Sequence, residues 1–317
     1  MNETSVVEGF SVLESELEIW EDYCVAFFLI LIGIIAVFLN GFVVYVFVRK
    51  MKKLASCDCY ILNLAVIDII MPIIGFPLPI YSSFHHKLAI GEYLCATYGF
   101  TGFFCGVVSI STLAAISLVR YIQICRTDHA QKLAKNTTYC IGVIYCYGAL
   151  WACLPISGIS GYGPEPYGTS CTLQWEGNYI FVSFFLIFCV IIPVIIMNVS
   201  YGRILVHIRR SRRRTTRTVV SVRSSIKKRA RETYLIKMTF IMCVVFILLW
   251  SPYAVVSLWT AYGRKDVVPV RVTLIAVLVA KLSTIINPIV YFVLNKKFRP
   301  FLRQYTAFTR KITSSST

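Results

Sequence analysis

The sequence predicts an all-α membrane protein built as a bundle of seven transmembrane helices. Two observations on composition point this way: 57% of the 317 residues are hydrophobic and only 15% are charged. An average soluble domain is about 45–50% apolar and about 25% charged. The third observation is that the apolar residues are concentrated in seven long runs. The composition therefore argues against both an ordinary soluble enzyme and a disordered chain.

Each of the seven runs is long enough to cross a membrane, since a transmembrane helix needs about 20 mostly apolar residues. They occupy residues 24–48, 57–81, 92–124, 138–158, 178–206, 233–261 and 267–293. The first run is interpreted as a span, because the residues before it lack the basic stretch of a signal peptide. We therefore expect an acidic extracellular segment at 1–23, a seven-helix domain at 24–293, and a cytoplasmic segment at 294–317.

The basic residues predict the orientation of the bundle and explain the formal net charge of +17. Most follow the odd-numbered spans, and only Lys87, Arg264, Lys265 and Arg271 fall on the opposite side. The positive-inside rule then places the N-terminus outside a cell membrane and the C-terminus inside. Asn2, in Asn2-Glu3-Thr4, is a predicted glycosylation site on the outer side. The most basic stretch, 207–231, is a loop between spans, so nucleic acid is not expected as a partner.

The twelve cysteines do not form a metal or redox motif, because no Cys-x-x-Cys pair occurs. Most lie inside spans, where cysteine acts as a small hydrophobic residue. Cys95 and Cys171 both face the oxidising side, and a disulfide between them would pin the loop after span four over the bundle. Cys24 is the only other cysteine near that face and is left unpaired.

Lys281 is the most informative residue, because it falls in the middle of span seven. A lysine at a helix centre costs about 2.5–3.5 kcal/mol on membrane-insertion scales. An amine shielded from water is a good nucleophile toward an aldehyde, with which it forms a Schiff base. A structural ion pair with a carboxylate on another span is an equally open alternative.

Two further features stand out within the spans. Asp68 could form a polar cluster with Asn40 and Asn287 that holds water or a sodium ion, although a structural hydrogen-bond knot is an open alternative. Trp250 stands beside Pro252, and a proline kinks a helix. A ligand that presses on Trp250 could therefore move the inner half of span six.

In their order and spacing these residues resemble the rhodopsin-type G-protein-coupled receptors over nearly the whole chain. The matching motifs are Asn40-Gly41, Leu64-Ala65-x-x-Asp68, Cys95, Arg120-Tyr121, Pro193, Tyr201, Phe246-x-x-x-Trp250-x-Pro252-Tyr253 and Asn287-Pro288-Ile289-Val290-Tyr291. Lys281 stands seven residues before Pro288, which matches the retinal-attachment lysine of the opsins. The stretches 162–175 and 251–264 are most similar to the neuropsin branch.

This resemblance implies retinal, 11-cis or all-trans, as a covalently bound cofactor on Lys281. Tyr98 occupies the position of the acid that vertebrate visual opsins use as counterion. The resemblance therefore assigns this role to Glu165, which matches the loop carboxylate of many other opsins; an exposed loop acid without a role is the alternative. The other implied cofactor-binding residues are Gly99, Gly102, Phe103, Gly106, Trp175, Trp250, Tyr253 and Ala280. The resemblance also implies a hairpin-like second extracellular loop and a short cytoplasmic eighth helix within 294–317.

The family's activation switch maps onto Asp68, Arg120, Tyr201, Glu232, Asn287 and Tyr291. Val119 departs from the pattern, because the family has an acid there that holds the arginine inactive. The implied partners are a heterotrimeric G protein, arrestin and a receptor kinase. The kinase would phosphorylate the Ser/Thr tail, residues 313–317. Attraction of 207–231 to anionic membrane lipid is at least as well supported as specific G-protein contact.

The sequence thus favours a light-sensing receptor that is not an enzyme. A retinal photoisomerase with little signalling is the first alternative, motivated by Val119. A receptor for a diffusible ligand, in which Lys281 is a structural ion pair, is the second. A transporter is less favoured, since no inverted repeat of spans is evident.

Overall fold

A computed structural model describes the chain over residues 13–50, 54–88, 91–215, 222–263 and 268–294. The side chains of Lys50, 212–215 and 222–232 are outside this description. Four of the predicted features therefore lie outside the described residues: glycosylation at Asn2, the Glu232 side chain, the eighth helix and the Ser/Thr tail.

Seven helices long and apolar enough to span a membrane form the described part of the chain. We name them spans one to seven: Ile19–Arg49, Ser56–Phe84, Glu92–Cys125, Thr137–Ile159, Tyr179–Ser211, Thr233–Tyr262 and Val270–Leu294. The predicted all-α, seven-helix fold is confirmed. The largest differences in the ends are at span one, which begins at Ile19 rather than 24, and at span five, which ends at Ser211 rather than 206.

Most of the spans are made of more than one regular segment. The α-helices are α1 Ile19–Tyr45, α2 Ser56–Ile70, α3 Pro77–Phe84, α4 Glu92–Cys125, α5 Ala130–Lys135, α6 Thr137–Cys153, α7 Tyr179–Phe185, α8 Ile192–Thr215, α9 Val222–Tyr262, α10 Val270–Lys281 and α11 Ser283–Leu294. Wider π-helical turns occur at Val46–Lys50, Met71–Gly75, Pro155–Ile159 and Leu186–Ile191. The strands are β1 Leu13–Glu14, β2 Lys87–Leu88, β3 Tyr162–Pro164 and β4 Cys171–Leu173.

The prolines affect the spans in two ways. Pro72 and Pro155 lie in π-helical turns, whereas Pro252 and Pro288 lie inside α9 and α11. A proline inside a helix lacks the N–H that would bond the carbonyl four residues earlier. For Pro288 this is the carbonyl of Thr284, which accepts a hydrogen bond from the Asn40 side-chain amide at 2.9 Å. The freed backbone group is thus satisfied by another span.

Span three runs through the centre of the bundle and buries residues along its whole length, among them Cys95, Val108 and Leu113. By contrast, Phe27 and Phe38 on span one are about 60% exposed. Large apolar side chains on the outside of a bundle are expected where lipid replaces water as the solvent. The molecule is a multi-pass membrane protein.

The end of the bundle at which span one begins is covered by two small antiparallel sheets. Strands β3 and β4 pair in the loop after span four, and the predicted disulfide between Cys95 and Cys171 ties this hairpin to span three. The second sheet, β1 with β2, was not predicted from the sequence. It brings the N-terminal segment against the hairpin loop, where the Ser15 hydroxyl donates to the Tyr167 carbonyl at 3.2 Å.

Candidate functional site

A cavity of about 290 Å³ lies beneath the hairpin and extends across the bundle from span seven to span five. This volume is near the lower end of the range of about 300–1,000 Å³ typical of small-molecule sites. All ten residues predicted to bind the cofactor lie on its wall: Gly99, Gly102, Phe103, Gly106, Glu165, Trp175, Trp250, Tyr253, Ala280 and Lys281. The fold therefore brings together side chains from three spans and one loop.

Lys281 is the last residue of α10, and span seven is interrupted at Leu282 directly after it. Its ammonium nitrogen lies 5.2 Å from the centre of the Tyr98 ring and 5.8 Å from that of Phe76. Within the described part of the chain, no carboxylate oxygen lies within 4.0 Å of this nitrogen. The direct ion pair that the sequence left open for Lys281 is thus not formed with any described residue.

Glu165 is buried in the turn of the hairpin loop and faces the same cavity. Tyr253 donates a hydrogen bond to its carboxylate at 3.1 Å and is itself 2.5 Å from the Thr172 hydroxyl. Burial raises the pKa of Glu165 from an ordinary value of 4.5 to about 7, while the bond from Tyr253 and the attraction of Lys281 oppose this rise. The carboxyl group can therefore supply a negative charge that a cation in the cavity would stabilise.

The turn that carries Glu165 depends on a glycine. The amide of Gly168 donates to the Glu165 carbonyl at 2.9 Å, and Gly168 has φ +82°, which side-chain-bearing residues rarely adopt. A Cβ atom at Gly168 would also lie 2.6 Å from the backbone oxygen of Glu14. The N-terminal segment thus packs directly against the turn that positions the carboxylate.

The three glycines of span three do not all leave open space. A Cβ at Gly102 would meet nothing nearer than the Met71 methyl at 3.7 Å. At Gly99 it would lie 2.5 Å from the Tyr162 ring, and at Gly106 it would lie 3.2 Å from the Trp250 ring. Gly99 and Gly106 therefore line the cavity and also make room for aromatic side chains of the protein itself.

Trp250 lies at the floor of the cavity and contacts residues of spans six and seven. Its indole N–H donates to the Ser283 hydroxyl at 3.2 Å, two residues after Lys281, and its ring stacks on Phe246 at 5.7 Å. At the other side of the cavity, Phe103 packs on Phe185 with 4.6 Å between ring centres. Aromatic rings therefore bound the cavity at both its floor and its span-five side.

The predicted switch residues are only partly connected. Asn287 donates to Asp68 at 2.9 Å, whereas the Asn40 amide donates to the backbone of Ala36 and Thr284. Within the described residues, no direct hydrogen bond connects Asn40 to Asp68. Tyr201 lies 3.8 Å from the Cys243 sulfur. The Arg120 Nε and the Tyr291 hydroxyl are buried and have no hydrogen-bond partner among the described residues.

Sequence reasoning missed Phe76, Thr172 and Ser283 as part of the site. Phe76 stands eight residues after Asp68, but the π-helical turn Met71–Gly75 lies between them, so regular α-helical spacing does not predict the direction of its side chain. Thr172 adjoins Cys171, but a loop has no periodicity from which the direction of its side chain could be predicted.

Comparison with known proteins places this geometry in a family. Residues 39–291 match the family described as 7 transmembrane receptor (rhodopsin family). Opsin-5 of Mus musculus is 36% identical over 287 residues, which cover 88% of this chain and 75% of that protein. The visual pigment-like receptor peropsin of Homo sapiens is 32% identical over 287 residues, with 88% and 83% covered.

A solved structure shows the same fold. The crystal structure of squid rhodopsin has a TM-score of 0.86 at 27% sequence identity, and covers 98% of this chain and 92% of its own. The resemblance to opsins of the neuropsin (Opsin-5) branch, read from the motifs, is confirmed. The chain belongs to the opsins, a light-sensing family of seven-transmembrane, rhodopsin-type G-protein-coupled receptors.

Proposed function

We propose that the chain is a light-sensing receptor that binds retinal covalently through Lys281 and activates a heterotrimeric G protein after photoisomerisation. The observation that carries this proposal is the placement of Lys281 and the buried acid Glu165 on one apolar cavity that crosses the bundle. The residues fit retinal: Lys281 offers an amine for the aldehyde, and aromatic side chains line the cavity along the polyene. Glu165 offers a buried carboxylate whose negative charge a bound cation would stabilise.

Retinal would supply the light-dependent change of shape, and the other steps belong to the protein. Glu165 offsets the positive charge on the Lys281 nitrogen in a site where an uncompensated charge is costly. Trp250 lies between the cavity and the inner half of span six, so displacement of its ring moves that span. Arg120, Tyr201 and Tyr291 then rearrange and open the cytoplasmic face.

The absorption spectrum of the purified chain with added retinal tests the first step. The wild type is expected to show a retinal-dependent band that changes on illumination, whereas Lys281→Ala lacks the band. Lys237→Ala, which removes an exposed lysine from span six, is the matched control and keeps it. A wild type without the band would contradict the proposal.

The role of Glu165 has its own test. Glu165→Gln is expected to move the dark band to shorter wavelength at neutral pH, because the Schiff base loses its proton without a counterion. The control is Glu176→Gln, which changes an exposed acid farther along the same loop. An unchanged spectrum for Glu165→Gln would remove this residue as the counterion.

A photoisomerase with little signalling is the second candidate. Val119 is buried where the family has an acid, and the Arg120 Nε has no hydrogen-bond partner among the described residues. Nucleotide exchange on purified G proteins separates the two functions. Light-dependent exchange is expected for the receptor, whereas a light-sensitive band without exchange on any G protein would favour the isomerase.

The cellular setting follows from the same proposal. We expect the chain in the cell membrane with its N-terminus outside, and arrestin and a receptor kinase as partners besides the G protein. The arginine-rich stretch between spans five and six would also attract anionic lipid. No enzymatic activity is proposed.

A further inference from the structure

The Lys281 nitrogen lies over two aromatic rings, and no described carboxylate oxygen lies within 4.0 Å of it. Tyr98 and Phe76 are 6% and 1% exposed, and their ring centres are 5.2 and 5.8 Å from the nitrogen. A cation within about 6 Å of a ring face is attracted to it, and more strongly where water is excluded. Both rings meet this condition from different spans, two and three.

No other described titratable group forms an ion pair with this nitrogen, and two of the nearby carboxylates are hydrogen-bonded to other side chains. Glu165, from the loop, accepts from Tyr253 of span six, and Asp68, from span two, accepts from Asn287. Lys281 attracts the Glu165 carboxylate across the cavity, and the Cys105 thiol of span three lines the same cavity. The two rings therefore contact the cation where no described carboxylate forms an ion pair with it.

We propose that Phe76 and Tyr98 form an aromatic clamp, a positioning site that holds the positive charge of the Lys281 nitrogen in the free protein and in the pigment. The clamp fixes the nitrogen between spans two and three, and Glu165 neutralises the charge from a distance. The first half of this proposal concerns the protein without retinal. The second half concerns the pigment, the protein with retinal bound, and rests on the proposed function.

The clamp and a hydrogen bond from the Tyr98 hydroxyl predict different results. A ring face persists in Tyr98→Phe and is lost in Tyr98→Leu, whereas the hydroxyl is lost in both. Phe76 has only a ring face to offer, so Phe76→Leu reports on the clamp alone.

Reductive methylation of Lys281 in the retinal-free full chain, followed by mass spectrometry, tests the first half. The reaction needs the neutral amine, so its rate rises with pH to a plateau. Phe76→Leu and Tyr98→Leu are each expected to move the midpoint of this rise about one pH unit lower, or about tenfold in rate below it. The plateau is expected to stay unchanged, because a mere gain in access would raise it instead.

Three variants make this result specific. Tyr98→Phe keeps the ring and is expected to keep the wild-type midpoint. So is Phe104→Leu, which removes a ring of span three that packs on Phe100 and Tyr145 away from the cavity. If a leucine variant does not fold, Phe76→Met or Tyr98→Met removes the ring with a smaller loss of volume.

Unchanged midpoints in both ring-deleting variants would overturn the clamp, as would an equal shift in Tyr98→Phe and Tyr98→Leu. In the pigment, the pH at which the dark band converts to its short-wavelength form is expected to fall by a similar amount in the same variants. A wild type that forms no pigment would contradict the proposed function, while the methylation midpoints still decide the clamp.

Discussion

At the scale of single residues, Glu165 combines burial with a raised pKa, and this has a consequence for stability. Its pKa rises from 4.5 to about 7 in the folded chain, so the folded state disfavours the carboxylate. Below about pH 4.5 the Glu165 carboxyl group is protonated in both the folded and the unfolded chain. As the pH rises from 4.5 through 7 the unfolded chain releases this proton first, so the free energy of unfolding falls. A shift of this size corresponds to on the order of 3 kcal/mol.

We therefore predict that Glu165→Gln stabilises the retinal-free protein at pH 8 and changes it little at pH 4.5. The amide cannot ionise, so it avoids the cost of a buried charge while keeping nearly the same shape. Thermal melting of both proteins in detergent between pH 4.5 and 8 measures this difference. A difference in melting temperature that stays constant across this pH range would contradict the prediction. Glu176→Gln in the same loop controls for the loss of an exposed acid.

The glycines of span three give a second residue-scale prediction. Gly99→Ala is expected to destabilise the protein by about 1–3 kcal/mol, as overpacking typically does. The new methyl group would lie 2.5 Å from the Tyr162 ring, which is tethered by its hydrogen bond to the Ala152 carbonyl at 2.8 Å. Gly102→Ala, with its nearest neighbour at 3.7 Å, is the matched control.

The melting temperature and the yield of folded protein measure this pair. A lower value is expected for Gly99→Ala than for Gly102→Ala. Equal values would show that the Tyr162 ring shifts without cost, and would remove the argument that Gly99 is required by this aromatic contact.

At the scale of elements, the break that Pro288 makes in the hydrogen-bond pattern of span seven is repaired by span one. The Thr284 carbonyl, four residues before Pro288, accepts from Asn40. An unsatisfied buried carbonyl costs about 1–3 kcal/mol. Asn40→Ala is therefore expected to destabilise the wild type by that amount, and by less in a Pro288→Ala background, where residue 288 regains its N–H.

A double-mutant cycle on unfolding free energy measures this coupling. Some cost is expected to remain in the Pro288→Ala background, because Asn40 also donates to the Ala36 carbonyl at 2.9 Å. Additive effects of the two substitutions would contradict the proposed repair of the proline break.

The spans were predictable because a run of apolar residues long enough to cross lipid has few alternative structures. The residue motifs also indicated which side chains would lie on the cavity, since helical spacing and the order of the spans determine which residues face one another. The β1–β2 sheet was not predictable, because strands of two residues carry no hydrophobic periodicity. Phe76 was missed for a different reason: a lone aromatic residue in a span has no sequence feature that separates it from ordinary packing. Tyr98 was identified only as the residue that replaces an acid, not as a ring beside Lys281.

At the scale of the whole molecule, two independent features predict that the same face is extracellular. Basic residues are concentrated in the loops after the odd-numbered spans and beyond span seven, which the positive-inside rule assigns to the cytoplasm. On the opposite side, the N-terminal segment packs against the hairpin that carries the Cys95–Cys171 disulfide. Disulfides persist in oxidising surroundings, so we expect this face to lie outside the cell.

The chain offers a matched pair of glycosylation sequons that tests this orientation. Asn2-Glu3-Thr4 precedes span one. Asn136-Thr137-Thr138 lies at the start of span four, at the opposite end of the bundle, and Asn136 is exposed. Because glycosylation occurs only on the lumenal side, treatment with an N-glycosidase is expected to increase the gel mobility of the wild type and of Asn136→Gln. Asn2→Gln is expected to show no such increase. Loss of the increase in Asn136→Gln, with retention in Asn2→Gln, would reverse the bundle and place the G-protein face outside.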